Sequence, residues 1–172
     1  NVPSGYTAPA TQTVTVRVWD EADGKLHVQS NMPANGFVLI NTYEATGDIT
    51  FQGTKRIDKR DLLQGDVFQF TVEEEGTSNV WSVTCDPATG KIDYPTISYV
   101  VNAAKDDTGE HVYKVSEAKV SANGVTSDKT TYTVTVKVED QDSKDLKVTT
   151  TGDDPAKLDF TNTYEATGVA NV

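Results

Sequence analysis

Three polar residues stand where strand geometry puts apolar ones. In "FQGTKRI", Lys55 has the parity of Phe51 and Ile57. In "YKVSEAK", Glu117 has the parity of Tyr113 and Val115. In "LDFTNTY", Asn162 has the parity of Leu158, Phe160 and Tyr164. Alternate side chains of a regular strand share a face, so all three groups point at apolar faces if these strands are regular. Burying such a group unpaired is costly, most of all when it is charged.

Together, the three types make a definite chemistry. An amine in an apolar pocket loses its proton because desolvation disfavours charge, and a carboxyl group there takes one up. A neutral lysine is a nucleophile, and the carboxamide carbon of asparagine is an electrophile. A protonated glutamate polarises the amide carbonyl and then passes a proton to the departing ammonia. Folding holds the reactants together, so effective molarity replaces substrate binding. The product is a Lys–Asn isopeptide bond, made once and kept. A plainer reading stays open at this level: bulges turn the groups outward, or Lys55 and Glu117 form an ordinary salt bridge.

The elements that must position these residues read as strands. "DVFQFTVE", "VWSVTC", "TISYVVNAA", "HVYKVSEAKV" and "TYTVTVKVED" are rich in β-branched and aromatic residues, and Gly, Asn, Asp and Pro clusters separate them. No segment keeps a 3.6-residue period, although "DKRDLLQGD" has room for one helical turn. The pattern predicts an all-β sandwich of immunoglobulin-like type.

The sequence also repeats itself. "NTYEATG" occurs at 41–47 and again at 162–168; "TQTVTVRVWDEADGKLHV" at 11–28 matches "TYTVTVKVEDQDSKDLKV" at 131–148. Nothing in the chain matches 48–124. Residues 1–47 therefore read as the last strands of one repeat, 48–168 as a complete repeat, and 169–172 as the start of the next linker. The chain opens abruptly at Asn1, and the expectation is a piece of a longer protein. A 47-residue fragment cannot bury a core alone. Its apolar face calls for cover by a complementary chain or fragment, a swap, or packing on the neighbour.

Composition narrows the function classes. The net charge is −11, from 15 basic and 26 acidic residues, and no basic stripe exists, so nucleic acid is not the expected partner. No apolar run reaches membrane-spanning length, so no membrane insertion is expected of this segment. A single cysteine, Cys85, rules out an internal disulfide and reads as a small buried hydrophobe. His27 and His111 are isolated, and no hydrolase or metalloprotease motif appears. The "DQDSKD" turn lacks the glycine and distal glutamate of an EF-hand, so no metal and no cofactor is expected. Trp19, Trp81, Tyr94 and Tyr99 are strand aromatics. They read first as core and second as the face of a ligand-binding adhesin domain for a host glycan or protein.

"GTKRIDKRDLLQGDVFQFTVEEE", "GEHVYKVSEAK" and "YTVTVKVED" with "LDFTNTYEATG" resemble, in that order, the lysine-bearing opening strands, the glutamate-bearing central strand and the asparagine-bearing final strands of streptococcal pilin isopeptide-linkage domains. The resemblance covers about residues 48–168 and implies a CnaB-type sandwich. By position it makes Lys55 the nucleophile, Glu117 the catalytic acid and Asn162 the acceptor. Phe51, Phe68, Phe70, Tyr113, Phe160 and Tyr164 are the expected apolar shell. It further implies a structural pilus-shaft or stalk module of a Gram-positive, cell-wall-anchored surface protein. Its only chemistry would be one autocatalytic turnover. Its partners would be neighbouring repeats or pilin subunits, with a host receptor as a further possibility. The loop after Lys55 departs from the family's frequent glycine at Asp58 or Lys59. Lys59 is the rival nucleophile and Glu110 the rival acid, both in polar stretches. In the first repeat copy Asn41 holds the acceptor position, and its lysine and glutamate would lie outside residues 1–172.

Overall fold

The computed structural model describes residues 2–169. Within them lie thirteen strands. In chain order they are β1 (Tyr6–Thr7), β2 (Val16–Asp20), β3 (Leu26–Ser30), β4 (Thr42–Thr50), β5 (Lys55–Ile57), β6 (Val67–Glu74) and β7 (Val80–Thr84). There follow β8 (Thr96–Asn102), β9 (Gly109–Ser121), β10 (Val125–Thr126), β11 (Thr131–Glu139), β12 (Lys147–Gly152) and β13 (Phe160–Tyr164). The stretch 58–66 holds turns rather than a helical turn. Among the described residues no helix is long and apolar enough to cross a membrane.

The fold is an all-β sandwich. One sheet has five strands in the order β12-β11-β9-β6-β7. Facing it are two three-stranded sheets, β10-β13-β5 and β1-β4-β8. Alternation builds the core. Phe68, Phe70 and Val72 of β6, Tyr113 and Val115 of β9, and Val134, Val136 and Val138 of β11 are buried, while their neighbours in sequence are more exposed. Phe51, Ile57, Leu158 and Phe160 close the core from the other side.

Two details of the ladders position the site. First, β5 and β13 are parallel neighbours, with Lys55 opposite Phe160 and Ile57 opposite Asn162. The early and late ends of the module thus lie side by side. Second, the pairing of β6 with β9 shifts register between Gln69 and Phe70: Phe70 opposes Glu117 and Gln69 opposes Lys119, leaving Ala118 as the extra residue of a bulge. Such a bulge bends and twists its strand locally, and it stands directly beside Glu117.

The N-terminal residues form a separate two-stranded hairpin, β2 with β3. Its pairs Val16↔Ser30, Val18↔Val28 and Trp19↔His27 occupy the same repeat positions as Val136↔Thr150, Val138↔Val148 and Glu139↔Lys147 of β11 and β12. Burial differs sharply: Val16 is 55% exposed where Val136 is 0%, and Leu39 is 60% exposed where Phe160 is 0%. β4 runs unbroken across residues 47 and 48. It pairs with β8 from Glu44↔Asn102 to Thr50↔Thr96.

Candidate functional site

The sandwich brings Lys55, Glu117 and Asn162 together from three strands. Lys55 and Asn162 point inward from the parallel pair β5 and β13, and Glu117 points inward from β9 on the facing sheet. The Lys55 and Glu117 side chains are both 0% exposed, with Nζ 2.7 Å from Oε1. The Asn162 side-chain Nδ2 donates to the same Oε1 at 3.2 Å. A single buried carboxylate oxygen therefore touches both the amine and the amide.

Asp128 completes the arrangement. Its backbone N–H donates to Asn162 Oδ1 at 2.7 Å. An N–H can only donate, so this contact fixes the amide: oxygen toward Asp128, nitrogen toward Glu117. The sequence-based expectation gave the polarising of this carbonyl to Glu117. In the structure the carbonyl oxygen faces Asp128 N–H, and Glu117 faces the nitrogen that would depart. The Asp128 side chain is itself held. Its Oδ1 accepts from Thr130 N and Oγ1, and its Oδ2 accepts from Thr161 N of β13. Burial works to raise the Asp128 carboxyl, but these bonds and the Lys55 charge outweigh it and hold it below the usual range.

The electrostatics at Lys55 follow from its surroundings. Desolvation pushes its amine below the ordinary lysine value, and the Glu117 contact offsets only part of this. The Phe68 ring lies 5.0 Å from Nζ and the Phe70 ring 5.9 Å. Among the described residues, Lys55 Nζ and Glu117 Oε2 are the buried side-chain polar atoms without a well-aligned hydrogen bond. The 2.7 Å approach of Nζ to Oε1 is that of a close ion pair. Buried polar atoms are nearly always satisfied, so a pair of exceptions in one pocket marks it as unusual.

The expected apolar shell divides. Phe68 and Phe70 flank the amine, and Phe160 packs against Phe70 at 5.1 Å. Phe51 and Tyr113 belong to a second aromatic group, 5.6 Å apart, with Tyr94 and Trp81 around them. Tyr113 sits four residues before Glu117 along β9, about 13 Å at ordinary strand rise, and Phe51 lies in the connection between β4 and β5. Tyr164 is half-buried at the rim, its ring under the Arg60 guanidinium at 5.2 Å. Of the rivals, Lys59 is exposed in a left-handed turn beside Asp58, and Glu110 is exposed near the start of β9. Asn41 is exposed just before β4.

Other residues singled out by sequence have local roles. Tyr94 and Tyr99 are buried in the core, and Tyr99 Oη pairs with Tyr113 Oη at 2.9 Å. Trp19 is stacked by His27 and covered by Arg17. Cys85 is a half-buried free thiol pushed up by desolvation. In the "DQDSKD" turn, Asp140 and the Ser143 carbonyl accept the hydroxyl of Tyr43. Among the described residues, no group of three His, Cys, Asp or Glu side chains is gathered to hold a metal.

Asp128 is the residue that sequence reasoning missed. It contributes through its backbone, and no side-chain pattern marks that.

No curated protein matches the chain. The model of the FctA family, described as a Spy0128-like isopeptide containing domain, matches residues 51–165. That stretch carries Lys55, Glu117, Asp128 and Asn162 and makes up well over half of the sequence. The chain therefore belongs to the FctA family of isopeptide-containing pilin domains, a family of extracellular surface proteins.

Proposed function

We propose that the module is a structural stalk or pilus-shaft unit of a Gram-positive, cell-wall-anchored surface protein, closed by an isopeptide bond between Lys55 and Asn162. The observation that carries this is the shared contact of amine and amide with one buried Glu117 oxygen.

The chemistry balances without a cofactor. A proton crossing the 2.7 Å contact turns a buried ion pair into a neutral amine and a neutral acid, relieving the cost of two desolvated charges. Nζ of Lys55 then attacks Cγ of Asn162. Negative charge gathers on Oδ1, where the Asp128 N–H already points, an oxyanion-hole arrangement. The Cγ–Nδ2 bond breaks, and Glu117 delivers its proton to the nitrogen it already contacts. The amine's surplus proton returns to Glu117, and ammonia leaves. One N–C bond replaces another, and nothing is oxidised or reduced.

The bond joins positions 55 and 162 and closes a loop of about a hundred residues. By analogy with disulfides, this constrains the unfolded chain by roughly 4–5 kcal/mol. Because it joins neighbouring parallel strands at the two ends of the module, tension passes through it without shearing the strands between.

Denatured intact mass tests the proposal. The chain should weigh one ammonia less than its sequence, and Lys55→Ala or Glu117→Ala should restore the full mass and lower the melting temperature. Full mass in the unaltered chain would overturn it.

The matching registers of the two hairpins and the exposed apolar face of the first support a companion proposal. Residues 1–47 are the closing strands of a preceding repeat, and Asn41 is the acceptor for that repeat's lysine. In the longer parent protein, a digest should yield the Asn41 peptide joined to an upstream lysine peptide. A free Asn41 peptide would contradict this.

A further inference from the structure

The two "NTYEATG" copies begin alike and end differently. In the first, Tyr6 pairs with Tyr43 and Thr7 with Thr42; in the second, Val125 pairs with Tyr164 and Thr126 with Thr163. Glu44 N donates to Gly5 O, and Glu165 N to Gly124 O, both at 2.9 Å. Gly5 and Gly124 share a left-handed φ, 83° and 72°. Each tyrosine ring covers its glycine so closely that an added Cβ would sit 2.6 Å from Tyr43 Cε2 or 3.0 Å from Tyr164 Cε2.

Beyond the tyrosine the copies part. The first continues as β4, an added strand on the following module. One edge pairs with β8. On the other edge Thr46 N donates to Lys144 O at 3.0 Å and Leu146 N donates to Thr46 O at 2.8 Å. Ala45 is 0% exposed, and Gly47 lies against the Leu146 and Val148 side chains. Tyr43 Oη reaches Asp140 and the Ser143 carbonyl in the acidic turn. In the second copy, Glu165–Gly168 has the same letters but is exposed and outside any sheet.

We infer that residues 165–168 are a donated strand. On a following module of this same kind they pair with its β8-like strand, bury Ala166 where Ala45 is buried, and let Tyr164 close on its acidic turn. The occupant follows from sequence identity: the seven letters that dock this way at 41–47 are written again at 162–168. A strand belonging to two modules leaves no flexible linker, so the joint is stiff. The main-chain pairing is β-augmentation within one polypeptide. The inference rests on the repeat part of the proposed function and is independent of the cross-link.

The test fuses a second copy of residues 48–168 directly after Gly168 of the full chain and follows amide hydrogen exchange. In the unextended chain the Ala166, Thr167 and Gly168 amides should exchange at unstructured rates. In the tandem chain they should become as protected as those of Ala45, Thr46 and Gly47, and Ala166→Arg should abolish that protection. Unprotected amides beside a folded appended module would overturn the inference. So would an appended module that fails to fold, because the donated strand supplies its β4. Intact mass on the same samples separates the claims. Ammonia loss without protection removes the joint alone; protection without ammonia loss removes the cross-link alone.

Discussion

The backbone N–H of Asp128 decides which end of the Asn162 carboxamide meets Glu117. Asp128→Pro deletes that donor, whereas Asp128→Ala keeps it and loses only the carboxylate. Time-resolved intact mass should show ammonia loss slowed about 100-fold or more in the proline variant, the usual range for removing one oxyanion donor. The alanine variant should react close to the normal rate, and equal rates in the two would remove the donor role. Asn162→Ala leaves Lys55 buried and unreacted, and desolvation lowers its folded-state value below the ordinary one. Between those two values the unfolded chain holds more protons than the folded one, so stability should rise with pH there. Denaturant unfolding across that window should show the rise in Asn162→Ala and not in the Lys55→Met/Asn162→Ala double variant. A flat profile in the single variant contradicts the lowered amine. Strand parity makes the inward direction of Lys55, Glu117 and Asn162 legible, because alternation is a local rule. Asp128 is not legible: its place depends on how the loop before β11 lies against β13.

At the scale of elements, the site depends on how closely the chain before β5 runs beside the chain before β13. Gly53 sets that spacing. A Cβ there would stand 2.0 Å from the Leu158 carbonyl oxygen, which is backbone and cannot swing aside. Gly53→Ala should cost about 1–3 kcal/mol, the usual range for overpacking. It should also leave part of the chain at full mass, because Lys55 two residues on is displaced from Asn162. Melting temperature and intact mass check both, and complete ammonia loss at unchanged stability would show that the spacing is not critical. The strands themselves are legible from β-branched and aromatic alternation, as in β6 and β11. The parallel neighbouring of β5 and β13 is not, because pairing partners distant in sequence leave no mark in a single strand's pattern. Nor is the Ala118 bulge, which keeps Glu117 and Val120 both on the inner side although they are three residues apart.

For the whole molecule, the proposed bond makes the region between residues 55 and 162 inextensible. Pulled from its ends, the unaltered chain should release no length from that region. Lys55→Ala should release up to about 360 Å more, from about a hundred residues at 3.3–3.6 Å each. Single-molecule force extension reads the difference, and equal lengths would remove the mechanical role. Repetition is legible at this scale from "NTYEATG" alone. The continuity of β4 is not, because a boundary drawn from sequence falls at the end of the repeated letters, whereas the strand follows the β8 edge through to Thr50. Peptide mapping of the denatured chain reads the Lys55–Asn162 bond itself. The expected product is a branched peptide carrying both Lys55 and Asn162, one ammonia lighter than its two parts. Separate, unmodified peptides bearing a free Lys55 and an intact Asn162 would contradict it.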